Sequence, residues 1–387
     1  MNTTKPQLRF GGKRAATRAL CEAFGAIHRK ASGARGLDPG WVNKLLSKQA
    51  MVQCIWLHIG AEKTGTTSLQ YWLSANRELL ALQGISFPKA PGNVNHVALS
   101  AYALDAGRGM EELRITCGAS KFESVSAFRL NFENELLNEI ETSDPSRIIF
   151  CNEHCSSRLS TIEEIERLRD LLSRFTDDIR IILYIREPAE FFASWYSTVI
   201  KSGGKSEFPR KPSPRLYNMA DWLSMVRRWA EVFGRDAVTL RRYDRKHLFD
   251  GDVIADFCAI TGLEYENSIK PQQKNESMGL KSLLFLREMN KILPRIENGK
   301  FNPQRGNIVD TLATFPCESR FNLSPVAANS IREYYADSYE ILKNEYFPDD
   351  EGPLFDMKDV PIAEDADLSK EDIYAIARHL WVNRGRK

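Results

Sequence analysis

The stretch that most constrains this chain lies between an apolar run and a helical period. Cys54–Ile59 reads as a buried strand, Gly60-Ala-Glu-Lys-Thr-Gly65 as a tight loop, and Thr67–Leu82 as a helix with Leu69, Trp72, Leu73, Leu79 and Leu80 on one face. A strand that passes through a glycine-bounded loop into a helix turns backbone N–H groups toward one point, where unpaired donors and the helix dipole stabilise an anion. The glycine spacing is that of a Walker loop, but the Lys-Ser/Thr pair that should follow Gly65 is replaced by Thr66-Thr67, and Lys63 stands inside the loop. Phosphate binding survives this rearrangement, with the hydroxyls of Thr66 and Thr67 as added partners. The groups that hold a nucleotide's magnesium are missing. A tight turn with a good helix cap is the plainer reading of the same residues.

Strands and helices alternate through the chain. A short strand, Ile85–Phe87, precedes helices near 97–106 and 122–140; Arg147–Cys151 and Ile179–Ile185 are continuous apolar strands buried on both faces. Helices are expected at Thr161–Phe175, at Pro188–Ile200 with proline at the first helical position, and at Asp221–Phe233. A strand at Ala237–Leu240 and a helix at Asp250–Thr261, closed by Gly262, follow. The pattern predicts an α/β, three-layer, P-loop-like fold: a central parallel sheet flanked by helices, a helical C-terminal region, and ligands outside the carboxyl ends of the strands. Lys201–Tyr217, with three prolines, Gly203-Gly204 and five Lys or Arg, reads as a long mobile loop over the site.

Charge divides the chain. Residues 1–50 hold ten Lys or Arg and two acids, leaving 43 bases against 49 acids for 51–387. We expect a basic N-terminal extension over 1–50, helical or disordered, and a single domain over 51–387 whose motifs fall in 51–290. The extension suits a peripheral membrane surface or a polyanion as well as plain solvation, and no specific nucleic-acid site is expected. No uncharged apolar run approaches the ~20 residues of a membrane span. Seven cysteines, an odd number without repeating spacing, fit a reducing, cytoplasmic compartment, with a membrane-peripheral location as the alternative. Cys151-Asn-Glu-His-Cys155 lacks the second Cys/His pair that a zinc site requires.

Lys63-Thr-Gly-Thr-Thr-Ser-Leu69 resembles the 5′-phosphosulfate loop of the sulfotransferases that use 3′-phosphoadenosine-5′-phosphosulfate, whose usual form is Lys-x-Gly-Thr-Thr. Ile185-Arg186-Glu-Pro188 followed by Ser194-Trp-Tyr196 resembles the same family's 3′-phosphate signature, an arginine at a strand end and a serine eight residues later on the next helix. Val238-Thr-Leu-Arg-Arg-Tyr243 with Asp252–Leu263 resembles its later strand and helix. The resemblance covers about 51–290. It implies that Lys63, Thr64, Gly65, Thr66, Thr67, Ser68, Arg186 and Ser194 bind the donor, that adenosine 3′,5′-bisphosphate is the product, and that no metal takes part. Ser68 stands where members acting on phenols and steroids carry tryptophan, so the chain looks closer to the glycan-modifying and bacterial branch, and its adenine contacts are unassigned. An ion pair of Arg186 with Glu187 or Glu190 is the packing alternative.

Sulfuryl transfer needs in-line approach, a proton acceptor, and positive charge where the leaving phosphate develops negative charge. Lys63 meets the last need. The resemblance makes Glu153, just after the strand Arg147–Cys151, the first choice of base and His154 the second, with His96 next. A helix cap or ion pair is the structural alternative for Glu153, and a half-buried packing role for His154. His58 reads as packing, and Lys274 as a 3′-phosphate contact or a solvated lysine. Lys201, Lys205, Arg210, Lys211, Arg215 and Trp222 suit an anionic saccharide acceptor; a hydroxylated small molecule remains open. The rivals are a nucleotide kinase and a catalytically silent nucleotide-binding scaffold.

Overall fold

Runs of β-branched and aromatic residues become strands here because helices cover both faces of the sheet they form. The computed structural model describes residues 52–109, 112–209, 213–265, 268–269, 278–297, 300–316, 319–357 and 367–384. The extension 1–50, Arg210, Lys211 and Lys274 lie outside the described residues. Strands β1 (Cys54–His58), β2 (Ile85–Ser86), β3 (Arg147–Cys151), β4 (Ile179–Ile185) and β5 (Val238–Arg242) form one parallel sheet in the order β2-β3-β1-β4-β5. Order reverses at β1, which places a crevice at the carboxyl ends of β3, β1 and β4.

The pleat sorts alternate residues onto two apolar layers. Ile55, Leu57, Phe150 and Leu183 meet helices α3 (Val97–Ala103), α4 (Val125–Ser143), α6 (Ile162–Leu172), α8 (Trp222–Phe233) and α12 (Pro325–Tyr346). Trp56, Ile149, Ile182 and Tyr184 meet α1 (Thr66–Ala75), α2 (Arg77–Leu82) and α9 (Val253–Thr261). Parallel pairing requires such crossovers, so the α/β class read from the alternation is the one observed. Beyond them, α10 (Leu280–Ile292), α11 (Ile308–Ala313) and α13 (Lys370–Asn383) pack around Tyr196 and Ile200 of α7 (Pro188–Lys201) in a third cluster, giving the helical C-terminal region. A single turn, α5 (His154–Arg158), follows β3. No described helix is long and apolar enough to cross a membrane.

Two boundaries differ from the periodicity. The helix expected over Thr67–Leu82 breaks at Asn76, whose carboxamide donates to Trp72 O at 2.8 Å and Ile269 O at 3.0 Å and accepts from Ile269 N at 2.7 Å. A side chain that satisfies a neighbouring backbone in this way substitutes for continued helical pairing. The helix expected from Asp250 starts at Val253, because Asp252 caps it by accepting from Ile254 N and Ala255 N. In the expected loop Lys201–Tyr217, Pro214–Tyr217 forms a helical turn.

Candidate active site

Between β1 and α1 the backbone turns left-handed three times, at Gly60 (φ 39°), Lys63 (φ 70°) and Gly65 (φ 76°). For glycine this is free; for Lys63 it costs of order 1 kcal/mol. Gly65 is also tightly enclosed, since a Cβ there would stand 3.0 Å from the ring and hydroxyl of Tyr243 and from Val253. The loop is fastened from several sides. Ile59 N and Ala61 N donate to Ile182 O and Tyr184 O at 3.0 and 3.3 Å, Asn152 N donates to His58 O at 2.9 Å, and the Ser156 hydroxyl donates to Gly60 O. The Thr64 hydroxyl donates inward to Ala61 O at 2.6 Å, so as a donor it staples the loop and only its N–H is offered to a ligand.

Helix α1 opens with Gly65 at its cap position, no side-chain cap and no acid in its first turn. Its first N–H groups are therefore unsatisfied, and nothing negative competes for them. Thr66 is buried with its methyl against Gly60, Thr67 is exposed and Ser68 half-buried.

Arg186 ends β4 at the edge of this loop. Its Nη1 donates to Lys63 O at 3.2 Å, and its Nε and Nη2 donate to Glu190 Oε2 at 3.1 and 3.0 Å. The ion pair with Glu190 is the packing role left open for this arginine. It fixes the guanidinium plane and leaves one N–H on each terminal nitrogen for an anion. Glu187 is occupied elsewhere, capping α7 by accepting from Glu190 N at 2.7 Å and pairing with Arg332 at 2.9 Å. Glu190, Ser194 and Lys201 are spaced four and seven residues apart on α7, which sets them along one stripe of the helix. Ser194 is thus on the face that carries the Arg186 contact.

On the other side, β3 ends in a turn held by Asn152, which donates to His96 O and Ser100 Oγ, each at 2.8 Å, and accepts from His154 N at 2.9 Å. Glu153 occupies the cap position of α5 without capping it. Its Oε2 instead accepts from Gln70 Nε2 of α1 and from Asn95 Nδ2, the latter at 3.2 Å. Burial pushes the Lys63 ammonium below its ordinary pKa; Lys201 and Arg186 push the same way, and Glu62 and Glu153 oppose them. Lys63 thus lies within the electrostatic reach of both Glu153 and Arg186. The His154 ring nitrogen Nδ1 is buried without a partner among the described residues.

His58 and His96 are fully buried, and burial lowers each imidazole to about 3. His96 stacks on Phe87 at 4.1 Å and accepts from Cys151 N at 3.3 Å, a packing role that takes it out of contention as a base. Among the described residues no three His, Cys, Asp or Glu side chains gather as metal ligands. Gln70 and Asn95 belong to the site although the sequence did not single them out, and Glu190 and Tyr243 were named there only as an ion-pair alternative and as part of a strand motif. The available signal was Gln70, a polar residue between Leu69 and Trp72 on the apolar side of a helix.

No family model matches the chain. An uncharacterized protein of Archaeoglobus fulgidus is 24% identical over 196 residues, 48% of this chain and 50% of that protein, so the chain spans about half the length of this curated relative. Among solved structures, the sulfotransferase from Alicyclobacillus acidocaldarius is similar with a TM-score of 0.32 and 16% identity, over 61% of this chain and 94% of that one.

Proposed function

We propose that the chain is a sulfotransferase that moves the sulfuryl group of 3′-phosphoadenosine-5′-phosphosulfate to a hydroxyl or amine, on a saccharide, by in-line displacement. The observation that carries this reading is the 3.2 Å bond from Arg186 to the carbonyl of Lys63. It ties the two motifs, 123 residues apart, to each other, which supports a phosphate cradle with a second anion site beside it. The N–H groups opening α1 would hold the 5′-phosphosulfate, and Arg186 with Ser194 the 3′-phosphate.

The step balances simply. The acceptor oxygen or nitrogen bonds to sulfur as its proton passes to Glu153. The bridging S–O bond breaks, and its electron pair leaves on adenosine 3′,5′-bisphosphate, where the Lys63 ammonium meets the new charge. The saccharide acceptor is supported by Lys201 and the basic segment it opens.

Calorimetry tests the donor. The unaltered chain should bind adenosine 3′,5′-bisphosphate without magnesium and more tightly than AMP. Arg186→Ala should weaken the bisphosphate about 30- to 100-fold, ~2–3 kcal/mol, and AMP little. Equal binding of the two ligands by the unaltered chain overturns the reading. For the base, Glu153→Gln should slow single-turnover transfer about 10²–10⁴-fold, with a smaller effect for His154→Ala. If neither variant is slow, the base lies elsewhere.

A further inference from the structure

We infer that Gln70 and Asn95 are positioning residues that grip one oxygen of Glu153 and so aim the other at the acceptor, a role that rests on the assignment of Glu153 as the base. Gln70 is 3% exposed, on a helix where Leu69, Trp72 and Leu73 are buried as well. A carboxamide buried there is costly unless its hydrogen bonds are made. Gln70 spends its amide on the Glu153 carboxylate. Asn95 reaches the same carboxylate from the segment preceding α3.

Both donors converge on Oε2, whose two lone pairs they fill, and the carboxylate plane is thereby set. The proton given up by the acceptor then has Oε1 as its destination. Gln70 also stands one turn past Thr66 on α1, a rise of about 6 Å, so the helix that presents its N-terminus to the phosphosulfate also carries the residue that aims the base. The Gln70 bond thus ties the Glu153 carboxylate to the helix that opens the loop, which matters because a misplacement of ~1 Å can cost about 100-fold.

A double-mutant cycle tests this. The readout is release of adenosine 3′,5′-bisphosphate from the phosphosulfate donor, with a fully desulfated glycosaminoglycan offering hydroxyls and amines together. Gln70→Leu should slow single turnover about 10- to 100-fold with the product's Kd within about threefold. In a Glu153→Gln background the same change should cost less than about twofold, because the group it aims is gone. Asn95→Ala, on a more open segment, should follow the same pattern if Gln70→Leu melts early. Losses that multiply undiminished in the Glu153→Gln background, or a Kd that worsens in step with the rate, overturn the inference alone. No release by the unaltered chain overturns the proposed function, and this role with it.

Discussion

Lys63→Met should lower turnover by about 10²–10³-fold, ~3–4 kcal/mol, while the Kd for adenosine 3′,5′-bisphosphate should change by no more than about tenfold. The asymmetry follows from where the charge is used. In the proposed reaction backbone N–H groups and Arg186 would hold the nucleotide before and after transfer, whereas the ammonium would gain most as the bridging S–O bond breaks. Burial and the neighbouring cations Lys201 and Arg186 make this ammonium costly to keep charged without a nearby anion, which sharpens its response to a developing one. Methionine retains the stem and the length, so the loop is perturbed little. Single-turnover rates set against calorimetric Kd values check this. If affinity falls as far as rate, Lys63 is a plain anchor and the leaving-group role fails.

Acid should destabilise the fold well before the carboxylates protonate. His58 and His96 are neutral in the folded chain with pKa values of about 3, against an ordinary value of 6.5 in the unfolded one. Below pH ~6.5 the unfolded chain therefore binds two protons that the folded chain refuses. Stability contributed by these two groups is complete above that pH and is lost progressively as pH falls toward ~3. Between pH 7 and pH 5 the loss is on the order of 2 kcal/mol per histidine. Urea unfolding at the two pH values measures it, and His96→Phe should remove about half of the dependence. A flat profile would mean that the rings are charged or wet in the folded state.

Much of this architecture was legible because its signals are local. The strands 147–151 and 179–185 are mostly apolar runs and the turn into α1 is bounded by Gly60 and Gly65, and such signals need no knowledge of partners. The break at Asn76 was not legible, since its cause is the backbone of Ile269, 193 residues away. The same holds in the site. Lys63, Glu153 and Arg186 stand at strand ends, where topology alone brings them to one crevice. Gln70 and Asn95 act through a residue 83 and 58 positions away, and Glu190 was visible only as one of two carboxylates near Arg186. Spacing can nominate a charged pair, but which partner is taken depends on packing.

The order β3-β1-β4 has a consequence for what can vary. Three adjacent strands at ~4.8 Å pitch act as a ruler about 10 Å long, with the turn that carries Glu153 at one mark, the loop at the middle and Arg186 at the other end. Its graduations are main-chain hydrogen bonds such as Asn152 N to His58 O and Ile59 N to Ile182 O, which no side-chain substitution rewrites. Under the proposed function, segments outside the sheet can therefore be exchanged wholesale, as in grafting a new loop after Lys201, while the ruler keeps its calibration.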